Sequence, residues 1–269
     1  MTEPLTLFVR HKTLYRFDAP VPYGLQQVRL TPKSYRAQTV LDWSVSVSGG
    51  RKELQFEDFH RNTVDLVSFE AGTTELSVQS EGHVEMTDTS GVLGPHMGAT
   101  PLWLFLRQTL FTEPGPGLRE MARGYKGPPT LDMLHQLAAE ILARVAYKPG
   151  VSSSDWTAEE ALAAGQGVCQ DHTQIFLSLA RALGVPARYV SGFLMLNDRV
   201  NQDATHAWAE AHVEGLGWVG FDVSNGISPD TRYVRVATGL DYTQAAPITG
   251  TRFGEAGEDM TVELEVSQQ

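Results

Sequence analysis

The chain has 269 residues, of which 42% are hydrophobic, so it can bury a sizeable core in one large domain or two ordinary ones. Its 32 acidic residues against 21 basic ones give a formal net charge of -11, which argues against binding to nucleic acid or to an anionic membrane. No apolar run approaches the roughly 18 residues of a membrane span, and the chain does not start with a basic segment followed by an apolar one, so we expect a cytoplasmic protein.

The first part of the chain, from residue 5 to about 87, alternates apolar and polar residues with a period of two, which predicts half-buried strands. The clearest example runs from Leu41 to Val47. Further strands are predicted at 6–16, 26–31, 63–69, 74–80 and 82–87. Glycine, proline and asparagine separate these runs, so we predict an antiparallel β domain over residues 1–95.

Residues 96–129 are predicted to form a connector with one short helix, at the apolar stretch from Leu102 to Leu110. A helical period follows and ends before Pro149. Its apolar face comprises Leu131, Leu134, Ala138, Ile141, Leu142 and Val145. The pattern from Thr157 to Glu160 is that of a capping box, in which each side chain satisfies a free backbone donor, and it predicts the start of a second helix.

A third helix is predicted to begin near Cys169 and to run to Leu183, where Gly184 ends it ahead of Pro186. From Ala187 onward the pattern is typical of strands. Residues 130–269 are therefore predicted to form a second domain, with a helical subdomain followed by an antiparallel sheet, and the fold class is α+β.

Cys169 is the only cysteine of the chain, which rules out an internal disulfide and a zinc site built from several cysteines. Two glycines, Gly165 and Gly167, precede it, and it lies at the first turn of the predicted helix. The free N–H groups and the helix dipole there favour a thiolate, and a neighbouring imidazolium favours it further. The same N–H groups could face an oxyanion on an attacked carbonyl. This context predicts a nucleophile and not an inert core cysteine.

Two later runs supply partners for this thiol. The run 205–213 reads as a strand with four large side chains on one face, namely His206, Trp208, Glu210 and His212. A turn then leads to a second strand that reaches Asp222, and we expect His212 to pair with Trp218. In that register Asp222 opposes Trp208, and His206 is its diagonal neighbour, roughly 7 to 8 Å away. A slip by one residue would send Asp222 to the opposite face, so the register is a hypothesis.

This arrangement predicts three roles. Cys169 attacks a carbonyl, His206 carries the proton, and Asp222 orients His206 and stabilises its charged form. The reaction is then acyl transfer on an amide bond through a thioester.

Four segments carry a resemblance to a known family. GQGVCQDHTQIFLSLARALGVPARYVSGF and ATHAWAEAHVEGLGWVGFDVSNG resemble the core of the transglutaminase-like superfamily. The ending YVRVATGLDYTQAAPITGTRFG resembles the tail of its bacterial members, and HKTLYRFDAPVPYGLQQVRLTP resembles the β-rich region that precedes their catalytic domain. The resemblance covers nearly the whole chain. It implies a papain-like fold, with residues 130–269 as the catalytic domain and a Cys-His-Asp triad at Cys169, His206 and Asp222.

The chain also departs from the family pattern. Gln170 follows the nucleophile where animal transglutaminases usually have an aromatic residue, which weakens a protein-crosslinking interpretation. Many bacterial relatives have an aspartate followed shortly by Gly-Asn where this chain has Asp58 to Asn62, and we expect a changed turn there and unchanged chemistry. No calcium-loop pattern of closely spaced carboxylates is present, so we expect neither a metal nor another cofactor.

Other residues near the predicted triad have a weaker case. Gln166 is a candidate side-chain donor to an oxyanion, whereas Trp208, Tyr242 and Trp156 are candidate walls of the acyl cleft. Aromatic residues in an α+β core are more often packing residues. Asp171 is read as an acidic residue that stabilises a helix N-terminus. His172 has no assigned role.

We therefore expect a cysteine peptidase or amidase that hydrolyses a peptide or isopeptide bond of a peptide or protein substrate. An amine acceptor in place of water would make it a transglutaminase or amide ligase with the same triad. A catalytically inactive adaptor on this fold is a further alternative, although all three triad residue types are retained. A metallo-hydrolase site at His206, Glu210 and His212 would leave the glycine-flanked thiol unexplained. No oligomeric state follows from the sequence.

Overall fold

A computed structural model describes residues 3–202 and 204–269. The seven N-terminal strands are β1 (Leu5–Val21), β2 (Tyr23–Thr31), β3 (Gln38–Ser48), β4 (Gly50–Glu57), β5 (Thr63–Phe69), β6 (Thr73–Met86) and β7 (Val92–Gly94). The helices are the 3-10 helix Leu102–Leu106, α1 (Pro116–Arg123), α2 (Leu131–Arg144), α3 (Ala158–Ala164), α4 (Cys169–Ala182) and α5 (Tyr242–Ala245). The remaining strands are β8 (Ala146–Tyr147), β9 (Gln166–Gly167), β10 (Ala187–Leu194), β11 (Asn201–Gln202), β12 (His206–Val213), β13 (Gly217–Phe221), β14 (Tyr233–Gly239), β15 (Ile248–Phe253) and β16 (Glu258–Gln268).

The N-terminal β domain consists of two antiparallel sheets, with strand orders β11-β16-β1-β6-β3 and β15-β2-β5-β4. The apolar residues that alternate in the sequence are the buried ones along these strands. They form one buried cluster between the two sheets, with members such as Leu7, Val28, Val67 and Val84. The α+β class with an N-terminal antiparallel β region is therefore confirmed.

The last two strands differ from the predicted layout. Strand β16 pairs along its length with β1, and β15 pairs with β2, so residues 248–268 complete the sheets of the N-terminal part. They fall within the predicted catalytic domain 130–269, because pairing between strands at opposite ends of a chain leaves no local pattern in the sequence. The boundaries at 95 and 129 themselves remain predictions.

One strand break, one further strand and one further helix also differ from the prediction. The runs 74–80 and 82–87 form the single strand β6, in which Gly82 is required because a Cβ atom there would lie 2.2 Å from the carbonyl oxygen of Asp42. The sequence does not predict strand β4, whose residues are nearly all exposed, so that Leu54 and Phe56 mark no buried face. The connector contains α1 in addition to the predicted short helix, with Pro116 at a first-turn position that suits proline.

The second domain is built on the sheet β14-β10-β12-β13-β7. Helix α4 packs against β12 and β10, and its inward residues join one cluster with those of α2 and α3. The predicted capping box is present, since Thr157 Oγ1 accepts from Glu160 N and the Glu160 carboxylate accepts from Thr157 N. No helix among the described residues is long and apolar enough to cross a membrane.

The two parts meet along strand β14, which is an edge strand of its sheet. The Gln38 side chain accepts from the N–H of Arg235 and donates to its carbonyl oxygen, at 2.9 and 3.0 Å. Asn62 does the same with Thr238, at 2.8 and 2.7 Å. Both amides are buried and replace the peptide groups that a further strand would offer, so the N-terminal domain satisfies the β14 edge.

Candidate active site

Cys169 is the first residue of α4, as the sequence predicts, and its side chain is partly exposed. Gly165 ends α3 with a φ of 63°, a left-handed conformation that glycine adopts at little cost. Gly167 leaves room for Asp171, since a Cβ atom at Gly167 would lie 2.7 Å from Oδ2 of that carboxylate. The two glycines thus let the chain turn tightly into the helix that carries the thiol.

Asp171 fixes this turn. Its Oδ2 accepts from the N–H of Val168 at 2.7 Å and from the Ser152 hydroxyl at 2.6 Å. The carboxylate is buried at the first turn of α4, where a negative charge also suits the helix dipole. This is the helix-stabilising position expected from the sequence.

The hairpin of β12 and β13 has the predicted register. His212 pairs with Trp218, and the pairing continues to Ala209 opposite Phe221. His206 and Asp222 consequently lie on one face, with Nε2 of His206 2.6 Å from Oδ2 of Asp222. Because Nε2 is used in this bond, Nδ1 is the nitrogen left for Cys169. The structure therefore brings the three predicted residues together.

Asp222 is buried and takes hydrogen bonds from two further side chains that the sequence analysis missed. Asn225 donates through Nδ2 at 2.7 Å and Tyr233 donates through its hydroxyl at 2.8 Å, both to Oδ2. Burial would raise the pKa of Asp222, but the bond and charge of His206 together with these donors hold it below its usual value. Asp222 is thus kept ionised next to the imidazole.

The pKa of His206 is raised to about 10. Burial alone would lower it, since only 13% of the side chain is exposed. The negative charge of Cys169, the hydrogen bonds to Asp222 and Cys169, and the charge of Asp222 outweigh burial. The imidazole of His206 is therefore biased toward its charged form next to Cys169.

Three tyrosines surround the thiol closely enough for its charge to raise their pKa values further, after burial as the main cause: Tyr147, Tyr189 and Tyr242. Tyr242 is one of the residues predicted near the cleft, and its ring meets that of Tyr189 edge-on, with centroids 6.1 Å apart. Tyr147 was missed, because β8 has only two residues and no pattern marks it. It is 50% exposed, whereas Tyr189 is buried, so a substrate can contact Tyr147.

The remaining candidates occupy different surroundings. Trp208 is buried and stacks on the His206 ring, with centroids 6.2 Å apart. Gln166 lies on β9, three residues before the thiol, and is partly exposed. Trp156 is partly buried in the same cluster as Cys169. The proposed roles of Gln166 as an oxyanion donor and of the aromatic residues as cleft walls remain predictions.

His172, one turn along α4 from the thiol, is fully buried and has partners on both ring nitrogens. Nε2 donates to the carbonyl oxygen of Val145 at 2.8 Å, and Nδ1 lies 2.8 Å from the Ser224 hydroxyl. Burial lowers the pKa of His172, with smaller opposing effects from Val145 and nearby carboxylates. The neutral ring therefore joins α4 to β8 and to the turn after Asp222.

Glu210 belongs to a buried ion cluster and not to a metal site. Its carboxylate accepts from Nε of Arg188 at 2.5 Å and from Nε of Arg235 at 2.8 Å. The Arg188 guanidinium also lies 4.0 Å from the Trp218 ring centroid. Because two cations already hold this carboxylate and His206 is bonded to Asp222, the set His206, Glu210 and His212 does not fit a cation site.

Comparisons with known proteins agree with this geometry. A model of the transglutaminase-like superfamily matches residues 119–223, and a model of the bacterial transglutaminase-like N-terminal region matches residues 7–85. An uncharacterized protein of Mycobacterium leprae is 26% identical over 97% of this chain and 98% of its own length. Another from Mycobacterium tuberculosis is 28% identical over 90% of this chain and 86% of its own.

A crystal structure from Cytophaga hutchinsonii, of a protein named as a candidate cysteine protease, superposes with a TM-score of 0.79 over 99% of this chain and 91% of that one. At 21% identity this likeness shows the fold. Residues 119–223 of the chain therefore match the transglutaminase-like superfamily, and residues 7–85 match the bacterial transglutaminase-like N-terminal region.

Proposed function

We propose that the protein is a cysteine peptidase or amidase that hydrolyses a peptide or isopeptide bond with Cys169, His206 and Asp222. The bond of 2.6 Å between His206 and Asp222, together with the raised pKa of His206, is the observation that carries this proposal. An inactive adaptor would have no need of a buried carboxylate that keeps a histidine charged beside a thiol.

The proposed reaction has two halves. The Cys169 thiolate adds to the amide carbonyl carbon, and the resulting oxyanion lies near the free N–H groups at the start of α4. The C–N bond then breaks as the imidazolium of His206 gives its proton to the leaving amine, which leaves a thioester. Water next attacks the thioester while His206 takes its proton, and the carboxylic acid product leaves as the thiolate returns.

Access of solvent favours water as the second nucleophile. Tyr147 is 50% exposed beside the thiol, and Asn225 is exposed beside Asp222. A deep, dry acyl pocket would instead favour an amine acceptor, since it would keep water from the thioester. We therefore place hydrolysis ahead of transglutaminase or amide-ligase activity, and we keep a cytoplasmic location as part of the proposal.

The test is turnover of a library of fluorogenic peptide amides, with and without an added primary amine, by the native protein and by Cys169→Ala. We expect product acid from the native protein only, with circular dichroism showing that the variant is folded. Retained turnover in folded Cys169→Ala would contradict the thiol mechanism. A product that forms only with the amine would replace hydrolysis by transfer.

A further inference from the structure

The hydroxyl of Tyr233 donates to the same oxygen of Asp222 that receives the bond from His206, at 2.8 Å. Tyr233 begins β14, two strands away from His206 in the sheet, and it is buried. Its ring meets Trp208 edge-on at 5.4 Å, and Trp208 in turn stacks on His206. One buried side chain thus contacts the carboxylate and the ring that supports the histidine.

We propose that Tyr233 is a positioning residue of the triad, whose hydroxyl holds the Asp222 carboxylate ionised and aimed at His206. This inference rests on the proposed function and adds a fourth residue to its machinery. A phenylalanine would fill the same space and make the same ring contacts, so the hydroxyl is the part of the side chain that packing does not require.

Strand β14 also connects this hydroxyl to the N-terminal domain. Gln38 pairs with the backbone of Arg235, two residues after Tyr233, and Asn62 pairs with the backbone of Thr238. The N-terminal domain therefore fixes the strand that carries Tyr233. The β domain thus helps to position the Tyr233 hydroxyl against Asp222.

Several titratable and polar groups besides Tyr233 face Asp222. His206 lies on β12, and Asn225 follows Asp222 in the turn. His172 on α4, Tyr147 on β8 and Arg232 ahead of β14 lie within reach of its charge. Only the hydroxyl differs between the native protein and Tyr233→Phe, so a change in Asp222 ionisation is assigned to that bond.

The experiment follows the imidazole signal of His206 in 15N-labelled protein as the pH is lowered, since its acid inflection reports the protonation of Asp222. A hydrogen bond donated to a carboxylate lowers the pKa of that carboxyl by about one pH unit. Tyr233→Phe removes such a bond, so the inflection should move to higher pH by about that amount. The matched control is Tyr125→Phe, which removes a hydroxyl that donates to Glu140 at 2.5 Å on α2, and it should leave the inflection in place.

An unchanged inflection in folded Tyr233→Phe, with or without a uniform loss of turnover, would overturn the inference. If Tyr233→Phe fails to fold, 3-fluorotyrosine at position 233 keeps the hydroxyl and makes it a stronger donor, so the inflection should move downward. Turnover of peptide amides is measured in parallel. Its absence in the native protein would contradict the proposed function, whereas the inflection would still decide the role of Tyr233.

Discussion

His206 Nε2 and Asp222 Oδ2 are 2.6 Å apart although the two residues are separated by 16 positions in the chain. The hairpin register explains this contact, because pairing of His212 with Trp218 places Asp222 opposite Trp208 and diagonal to His206. Against the effect of burial, the charge of Cys169 and this contact together raise the pKa of His206. A shift of this hairpin by one residue would remove the whole arrangement.

Asp222→Asn should lower kcat by about 10³ to 10⁴, as expected when a triad histidine loses its orienting carboxylate. The amide also removes a negative charge, so the pKa of His206 should fall. Peptide-amide turnover and the NMR titration of His206 measure the two effects. Asp42→Asn, at the exposed pair with His83 in the N-terminal sheet, is the control and should change neither. Equal kcat in Asp222→Asn and the control would exclude an orienting role.

Stability should fall as the pH rises from neutral toward alkaline. The pKa of His206 is raised from 6.5 to about 10 in the folded protein. Its contribution to the free energy of unfolding is therefore complete below pH 6.5 and is lost as the pH rises through about 10. Asp222 has a lowered pKa and acts at the other end, where its contribution is lost as the pH falls below the ordinary range of a carboxyl.

Urea unfolding at several pH values measures this dependence. The alkaline slope should be smaller in His206→Gln and unchanged in His83→Gln, whose side chain is 39% exposed beside Asp42. A slope that is the same in all three proteins would show that His206 is not the group responsible.

Glu210→Gln should cost about 3 to 5 kcal/mol of unfolding free energy, because it leaves Arg188 and Arg235 buried without their counter-charge. Urea unfolding measures the loss, and Glu53→Gln, at a pair with the exposed Arg51, should change little. Folded Glu210→Gln should keep its reactive thiol. Loss of thiol reactivity in the folded variant would give Glu210 a role in the site that the structure does not indicate.

Gln38→Met should lower the free energy of unfolding by about 1 to 3 kcal/mol. It removes the two hydrogen bonds that the Gln38 amide makes with the backbone N–H and carbonyl oxygen of Arg235. Asn62→Leu should act in the same direction through Thr238. The exposed Gln136 on α2 provides the control Gln136→Met. If all three variants unfold at the same urea concentration, the amides do not hold the β14 edge.

The sequence predicted the parts of the site that local patterns encode. Two glycines and a helical period placed Cys169 at a helix start, and the capping box from Thr157 to Glu160 placed the helix before it. Alternation along β12 gave the face that carries His206, and the turn length gave the register that brings Asp222 to it. Each of these depends on residues close together in the chain.

The missed features depend on contacts between distant segments. Tyr233 reaches Asp222 from another strand, and Gln38 reaches β14 from the N-terminal domain, so neither has a local signal. The pairing of β16 with β1 joins the two ends of the chain. The break predicted between 80 and 82 is absent, and Gly82 permits the close approach of β3 to β6 there.

The most direct test of the central claim is the rate of Cys169 alkylation by iodoacetamide as a function of pH, in the native protein and in His206→Ala. Because Cys169 is the only cysteine, all the label reports on this thiol. We predict fast alkylation that persists at mildly acidic pH in the native protein and moves to higher pH in His206→Ala, as expected for a thiolate held by an imidazolium. Slow alkylation of the native protein, with a pH profile that His206→Ala leaves unchanged, would contradict the thiol mechanism.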